Sequence, residues 1–137
     1  MTRSRRAPCT ARHARTRLDQ AQQYLDVAEL VLSDETGSEA TVATGNAVLA
    51  GIAAADAICC SSAGSRYRGS DHREAADYLE RVTGDRTLAK ALRDLADYKD
   101  QAHYGLTNVR ISRAKAAIRR AHRLVDAARD RVQYNDS

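Results

Sequence analysis

The chain contains no tryptophan and no phenylalanine, so six tyrosines are its only aromatic side chains. Without large apolar anchors the interior has to close through alanine, with scattered leucine, isoleucine and valine. That demands near approach between segments and gives modest burial per element, which makes self-association a natural further source of stability. Proline occurs once, at Pro8. Beyond it nothing removes a backbone donor or fixes φ, and an alanine-rich, proline-poor chain favours helices. No apolar run approaches the roughly 20 residues that span a bilayer. The longest, around Ala53–Ala55, is interrupted by Asp56, so no membrane span is expected. The basic amino terminus is followed by no continuous apolar segment and does not read as a secretory signal. Cysteine is scarce as well: Cys9, Cys59 and Cys60 form an odd set, the last two adjacent on one predicted helix and pointing in different directions. That pattern predicts reduced thiols in a cytosol rather than a disulfide framework or a zinc site.

At 137 residues the chain fits one domain with its own core. The predicted organisation is a basic arm over 1–9, of the kind that stays disordered until bound, followed by one helical domain over 10–134. Helix one spans Thr10 to Ser33 on the spacing of Leu18, Ala21, Leu25, Ala28 and Leu32. The polar stretch Ser33–Ser38 breaks the pattern, and Ser38 or Thr41 suits the N-cap of a second helix reaching Ala63. This second helix is apolar over much of its circumference and is predicted to be the most buried. Asp71 with Glu74 three residues on has the form of a capping box for a third helix ending at Thr83-Gly84. A fourth runs from Asp85 to Tyr104 with Gly105 as C-cap, and Ser112 opens a fifth. The fold class expected is all-α, an antiparallel up-and-down bundle of four to five helices.

No glycine-rich phosphate loop, no histidine pair at metal spacing and no serine elbow occurs, so no cofactor and no metal is expected. The net charge of +4 is unevenly spread. Residues 1–17 hold six arginines and no acid, residues 110–131 hold eight basic residues against Asp126 and Asp130, and acids outnumber bases between them. The basic ends can converge on a nucleic-acid-facing surface, with Arg113, Arg119, Arg120 and Arg123 on helix five and Arg66 and Arg68 in the loop before helix three. A plainer reading stands beside it, since arginine-rich composition also follows from a GC-rich genome and charged faces are often only solvated.

A handful of polar residues sit oddly against the apolar pattern. Asp56 lies four residues after Ile52 and seven after Leu49, on or beside the inward face, where a carboxylate needs a partner. Lys99 and His103 share a helix face and are its candidate counterparts, in a groove where Asp56 and His103 meet. The alternative is a buried pair that only fixes helix register.

The segments around Gly51–Ser61, Asp71–Leu79 and Tyr98–Gly105 resemble helices two, three and four of HEPN-domain proteins, especially small actinobacterial ones, over about residues 38 to 128. The resemblance implies a helical bundle that forms a homodimer. It also implies a metal-independent ribonuclease, often a toxin with an antitoxin or nucleotidyltransferase partner, or a relative that binds RNA without cutting. The family's site is an arginine and, after four to six intervening residues, a histidine. His103 takes that histidine's place, with Tyr104 beside it, Lys99 as the cation, and Asp56 and His72 as further candidates. No arginine precedes His103 at the family's interval, whereas Arg66 with His72 and Arg6 with His13 satisfy it. The competing expectation is a nonenzymatic, dimerising protein–protein interaction module.

Overall fold

Five helices and two short strands make up the residues that the computed structural model describes, 5–32 and 37–135. In chain order they are β1 (Arg6–Pro8), α1 (Ala11–Leu32), α2 (Gly37–Ala63), β2 (Ser65–Tyr67), α3 (His72–Thr83), α4 (Arg86–Tyr104) and α5 (Ile111–Asn135). The protein is mostly helical, as its composition requires. Of the expected break over Ser33–Ser38, residues 33–36 lie outside the described residues, as do the first four of the basic arm, and the remaining two already belong to α2.

Helix ends follow local chemistry. The Asp71 carboxylate accepts from the Arg73 amide, and that of Asp85 accepts from the Thr87 and Leu88 amides, so each satisfies donors that the first turn leaves open. The capping box expected at Asp71 is half made, because Glu74 accepts from the Tyr67 hydroxyl (2.9 Å) instead of returning to the cap. Gly84 closes α3 at φ 69°, a left-handed conformation that glycine adopts without strain. Gly105 ends α4 in an extended conformation instead. Neither Ser38 nor Thr41 caps α2, which starts at Gly37. The Thr41 hydroxyl accepts from the Val109 amide (2.8 Å) and ties α2 to the segment leading into α5.

α2 is the central helix, packed against α1, α4 and α5. Its inward positions are small: Ala40, Ala43, Ala47, Ala50, Ala53, Ala54 and Ala57 are fully buried, and the larger core residues Leu25, Ile58, Leu92, Leu95 and Leu124 fill the space around them. By length and composition Ser38–Ala63 would be able to cross a membrane, yet 78% of its apolar 18-residue window is buried inside the fold. Asp56 does not end this apolar run as the sequence reading assumed: one carboxylate interrupts a short run but scarcely lowers the hydropathy of the whole helix.

The amino-terminal arm is not loose where it is described. Arg6, Ala7 and Pro8 pair antiparallel with Tyr67, Arg66 and Ser65, and the Cys9 amide donates to the Gly64 carbonyl (3.0 Å). This pairing lays Cys9 beside the last turns of α2, where Cys9 and Cys60 form a disulfide with Cα atoms 5.3 Å apart. The expectation of three reduced thiols is therefore wrong, and the argument it lent to a cytosol falls with it. Successive helix positions are rotated by about 100°, so Cys60 faces the strand pair while Cys59 turns inward as a buried free thiol.

Candidate functional site

The cavity in which the polar residues gather has a volume of about 160 Å³ and is bounded by α1, α2, β2 with its following loop, and α3. Ile52, Ala55, Asp56 and Cys59 line it from one face of α2, at the three- and four-residue spacing of helical neighbours. His72, Ala75 and Tyr78 do the same from α3, and Arg17, Arg66 and Arg68 close it. At about 30 Å³ per water, the space holds on the order of five waters, room for a phosphate group.

Asp56 is 8% exposed and is held by arginines, not by Lys99 or His103 as the sequence reading expected. Its Oδ2 accepts from Arg17 Nε (3.0 Å), and Arg17 Nη2 lies 2.9 Å from the same oxygen. Arg66 Nη1 stands 3.8 Å away, a looser contact. Burial pushes the Asp56 pKa above its ordinary 3.8, against the pull of both arginines. Cys59 is pushed up to about 12, first by burial and then by the neighbouring Asp56 charge, so its thiol is inert at neutral pH.

His72 is half-buried, with Nε2 2.9 Å from Lys99 Nζ. An ammonium has no acceptor, so Lys99 donates and His72 accepts on Nε2, leaving the ring proton on Nδ1. Burial first, and then the Lys99 charge, hold the His72 pKa below its ordinary 6.5, opposed by Asp71 and Asp100. Tyr67 and Tyr78 brace the cavity wall: Tyr67 bridges β2 to Glu74, and the Tyr78 hydroxyl shares a 2.5 Å hydrogen bond with Ser65 Oγ. Three arginines face one carboxylate and a histidine held toward its neutral form, so the cavity carries excess positive charge and suits an anion.

No family model and no curated protein matches the chain.

The residues singled out from the sequence divide into three places. Asp56, His72, Arg66 and Arg68 share the cavity, with Lys99 behind His72. His103 and Tyr104 are elsewhere and exposed. The His103 ring rests against α2 at Gly45, where an added β-carbon would lie 3.2 Å from Cε1. Gly45 precedes Asp56 by three helical turns, about 16 Å at ~1.5 Å per residue, so the groove expected between Asp56 and His103 does not form. Arg119, Arg120 and Arg123 line a separate groove between α4 and α5 with Lys90 and Asp94, and Arg120 Nε donates to Asp94 (2.7 Å). Arg113 lies over the Tyr98 ring at 4.9 Å.

The two basic ends of the chain meet only in part: Arg129 and Arg131 lie toward the Arg17 end of α1, and the four α5 arginines singled out from the sequence do not. His122 meets Glu29 and Arg129 meets Gln22, so α1 and α5 run in opposite directions. The Arg113–Arg123 stretch consequently sits at the Leu32 end of α1, away from Arg5–Arg17.

Arg17 is the site residue that the sequence reading missed, and a signal for it was present. It stands three residues after Ala14 and four before Ala21, in phase with the buried stripe of α1. A charged residue in that phase needs a buried opposite charge, and Asp56 is in the corresponding phase of α2.

Proposed function

We propose that the protein is a HEPN-like RNA-acting protein, a metal-independent ribonuclease whose phosphate seat is the cavity between α1, α2, β2 and α3. One observation carries the reading: Arg66 and His72, which stand at the family's arginine-to-histidine interval, line the same cavity as Arg17 and Arg68. The roles that the resemblance would give to His103 pass to His72, and Lys99 acts as the cation beside it. The helix directions fit an up-and-down bundle of that family, since α1 runs against α5 and α4 also runs against α5 through the Asp94–Arg120 and Tyr98–Arg113 contacts.

Cleaving RNA without a metal requires a base for the 2′-hydroxyl and positive charge for the developing phosphorane. A histidine with a depressed pKa is neutral at pH 7, and its Nε2 lone pair can take a proton. In the resting state Lys99 occupies that lone pair. A phosphate arriving in the cavity competes for the ammonium and releases it, while the arginines hold the phosphoryl oxygens.

The test is cleavage of a single-stranded RNA in the presence of a chelator, read as a 2′,3′-cyclic phosphate product. His72→Ala should abolish it and Arg66→Ala should lower it by roughly 10²–10³, with His103→Ala unchanged. Undiminished cleavage by the His72 variant would refute the assignment. Binding that weakens steeply with salt but never leads to cutting would point to a non-cutting relative.

A nonenzymatic, dimerising module is the second reading, favoured by apolar side chains left in water: Leu30, Val42, Tyr104 and Leu106 are all exposed. The resemblance brings a homodimer, and an antitoxin or nucleotidyltransferase partner, into the first reading as well. Sedimentation of the purified chain together with an RNA-binding titration separates the two, because a dimer without RNA affinity leaves only the second.

A further inference from the structure

Arg17 and Arg66 face two hollows. On the side away from the cavity lies a shallower groove of about 450 Å³, lined by the Cys9–Cys60 disulfide, His13, Thr16 and the same two arginines. Arg17 and Arg66 are the residues common to both linings, so these two side chains border both hollows as a partition. Arg17 donates from Nε to Asp56 and from Nη1 to Gln20, with Nη2 in an ion pair to Asp56, so not all of its five N–H groups are taken up among the described residues. An anion seated on this partition can therefore carry a substituent into each hollow.

The groove also holds a ring N–H that is left over when its helix cap is made. His13 and Thr10 cap α1 reciprocally: the Thr10 amide donates to His13 Nδ1 (3.0 Å) and the His13 amide donates to Thr10 Oγ1 (3.2 Å). A backbone amide only donates, so Nδ1 is the bare nitrogen and the ring proton sits on Nε2. That N–H has no partner among the described residues, and His13 is exposed. The cap thus fixes the tautomer and leaves a neutral hydrogen-bond donor for whatever enters the groove.

We propose that this groove is a second binding subsite, which takes the sugar or base edge of a nucleoside joined through the phosphate on Arg17 and Arg66 and donates to it from His13 Nε2. The inference rests on the phosphate seat proposed above. It predicts that the site distinguishes a phosphate bearing two nucleosides from one bearing a single nucleoside, and that His13 produces the difference.

The experiment compares a 2′-deoxydinucleoside monophosphate, which lacks the 2′-hydroxyl needed for cleavage, with the methyl ester of a 2′-deoxynucleoside 3′-monophosphate, which carries the same single charge, by calorimetric titration of the intact, oxidised chain. Wild type should bind the dinucleoside compound at least about tenfold more tightly, the worth of one added hydrogen bond of about 1.4 kcal/mol. His13→Ala should lose that preference while keeping its affinity for the methyl ester. His13→Gln, whose amide can still cap the helix and offer an N–H, should restore it. Circular dichroism of both variants checks that α1 survives. Equal binding of the two ligands by wild type, or an alanine variant that weakens both alike, overturns the subsite and leaves the phosphate seat standing. If wild type binds neither, or binding ignores Arg66→Ala, the phosphate seat itself fails and the subsite falls with it.

Discussion

Reduction of the Cys9–Cys60 disulfide provides a sharp test of how the amino-terminal segment supports the site. The bond joins residues 51 apart in sequence. In the loop-entropy treatment, closing a loop of that length removes about 14 cal/mol/K from the unfolded chain, or about 4 kcal/mol at 25 °C. Total stabilities of small domains are about 5–15 kcal/mol, so the loss would be a large share. Urea unfolding followed by circular dichroism, with and without a dithiol reductant and in Cys9→Ser, should show the midpoint falling by that margin. The slope should rise as the untethered unfolded chain expands. Affinity at the proposed phosphate seat should fall as well. β1 is only three residues long and forms a two-stranded sheet, which is marginal unaided, and its partner β2 carries Arg66. A reduced protein within about 1 kcal/mol of the oxidised one would refute the reasoning, because it would mean that hydrogen bonds alone hold the arm.

Three further outcomes follow from the geometry. Cys59, buried and pushed up to about 12, should resist iodoacetamide at pH 8 in the native state and be modified in urea, as mass spectrometry would show. Gly51→Ala should destabilise by about 1–3 kcal/mol in denaturant titration, because a β-carbon there would lie 2.4 Å from Leu95 Cδ1 and 3.2 Å from Leu124 Cδ1, both in fully buried side chains. Thermal melts against pH should show two opposing slopes. Asp56, raised above 3.8, contributes stability that is full below pH 3.8 and lost as pH rises through its folded value. His72, lowered below 6.5, contributes stability that is full above pH 6.5 and lost as pH falls through its folded value. Asp56→Asn should remove the first slope and His72→Gln the second.

The helices were legible because their signals are local. Leu25, Ala28 and Leu32 recur at helical spacing, and Asp71, Asp85 and Gly84 mark ends within a residue of where they occur. The strands were not, since Arg6–Pro8 and Ser65–Tyr67 are too short to show alternation and one holds a proline. The disulfide was missed for a related reason. Adjacency of Cys59 and Cys60 on a helix rules out nothing about a third cysteine brought alongside by a strand pair that local pattern does not reveal. The carboxylate of Asp56 was recognised as needing a partner, but choosing Arg17 among nineteen arginines required knowing which helices touch. His103 illustrates the converse: its place near the end of the fourth helix resembled the family's histidine, with no arginine at the family's interval before it, and the ring packs on α2 at Gly45, three turns from Asp56.

The pairing of α2 with the last helix also bears on how the chain is made. Thr41 reaches Val109 and Ser61 reaches the carbonyl of Arg131, partners 68 and 70 positions later in the sequence. At about 5–20 residues per second, a ribosome that has finished α2 needs roughly 4–15 s to reach the end of α5. Throughout that interval one flank of the most apolar segment has no cover from its own chain. Chaperones and insertion factors that survey nascent greasy helices have those seconds in which to engage it, and a transcript cut short before Ile111 would leave the same flank bare for good.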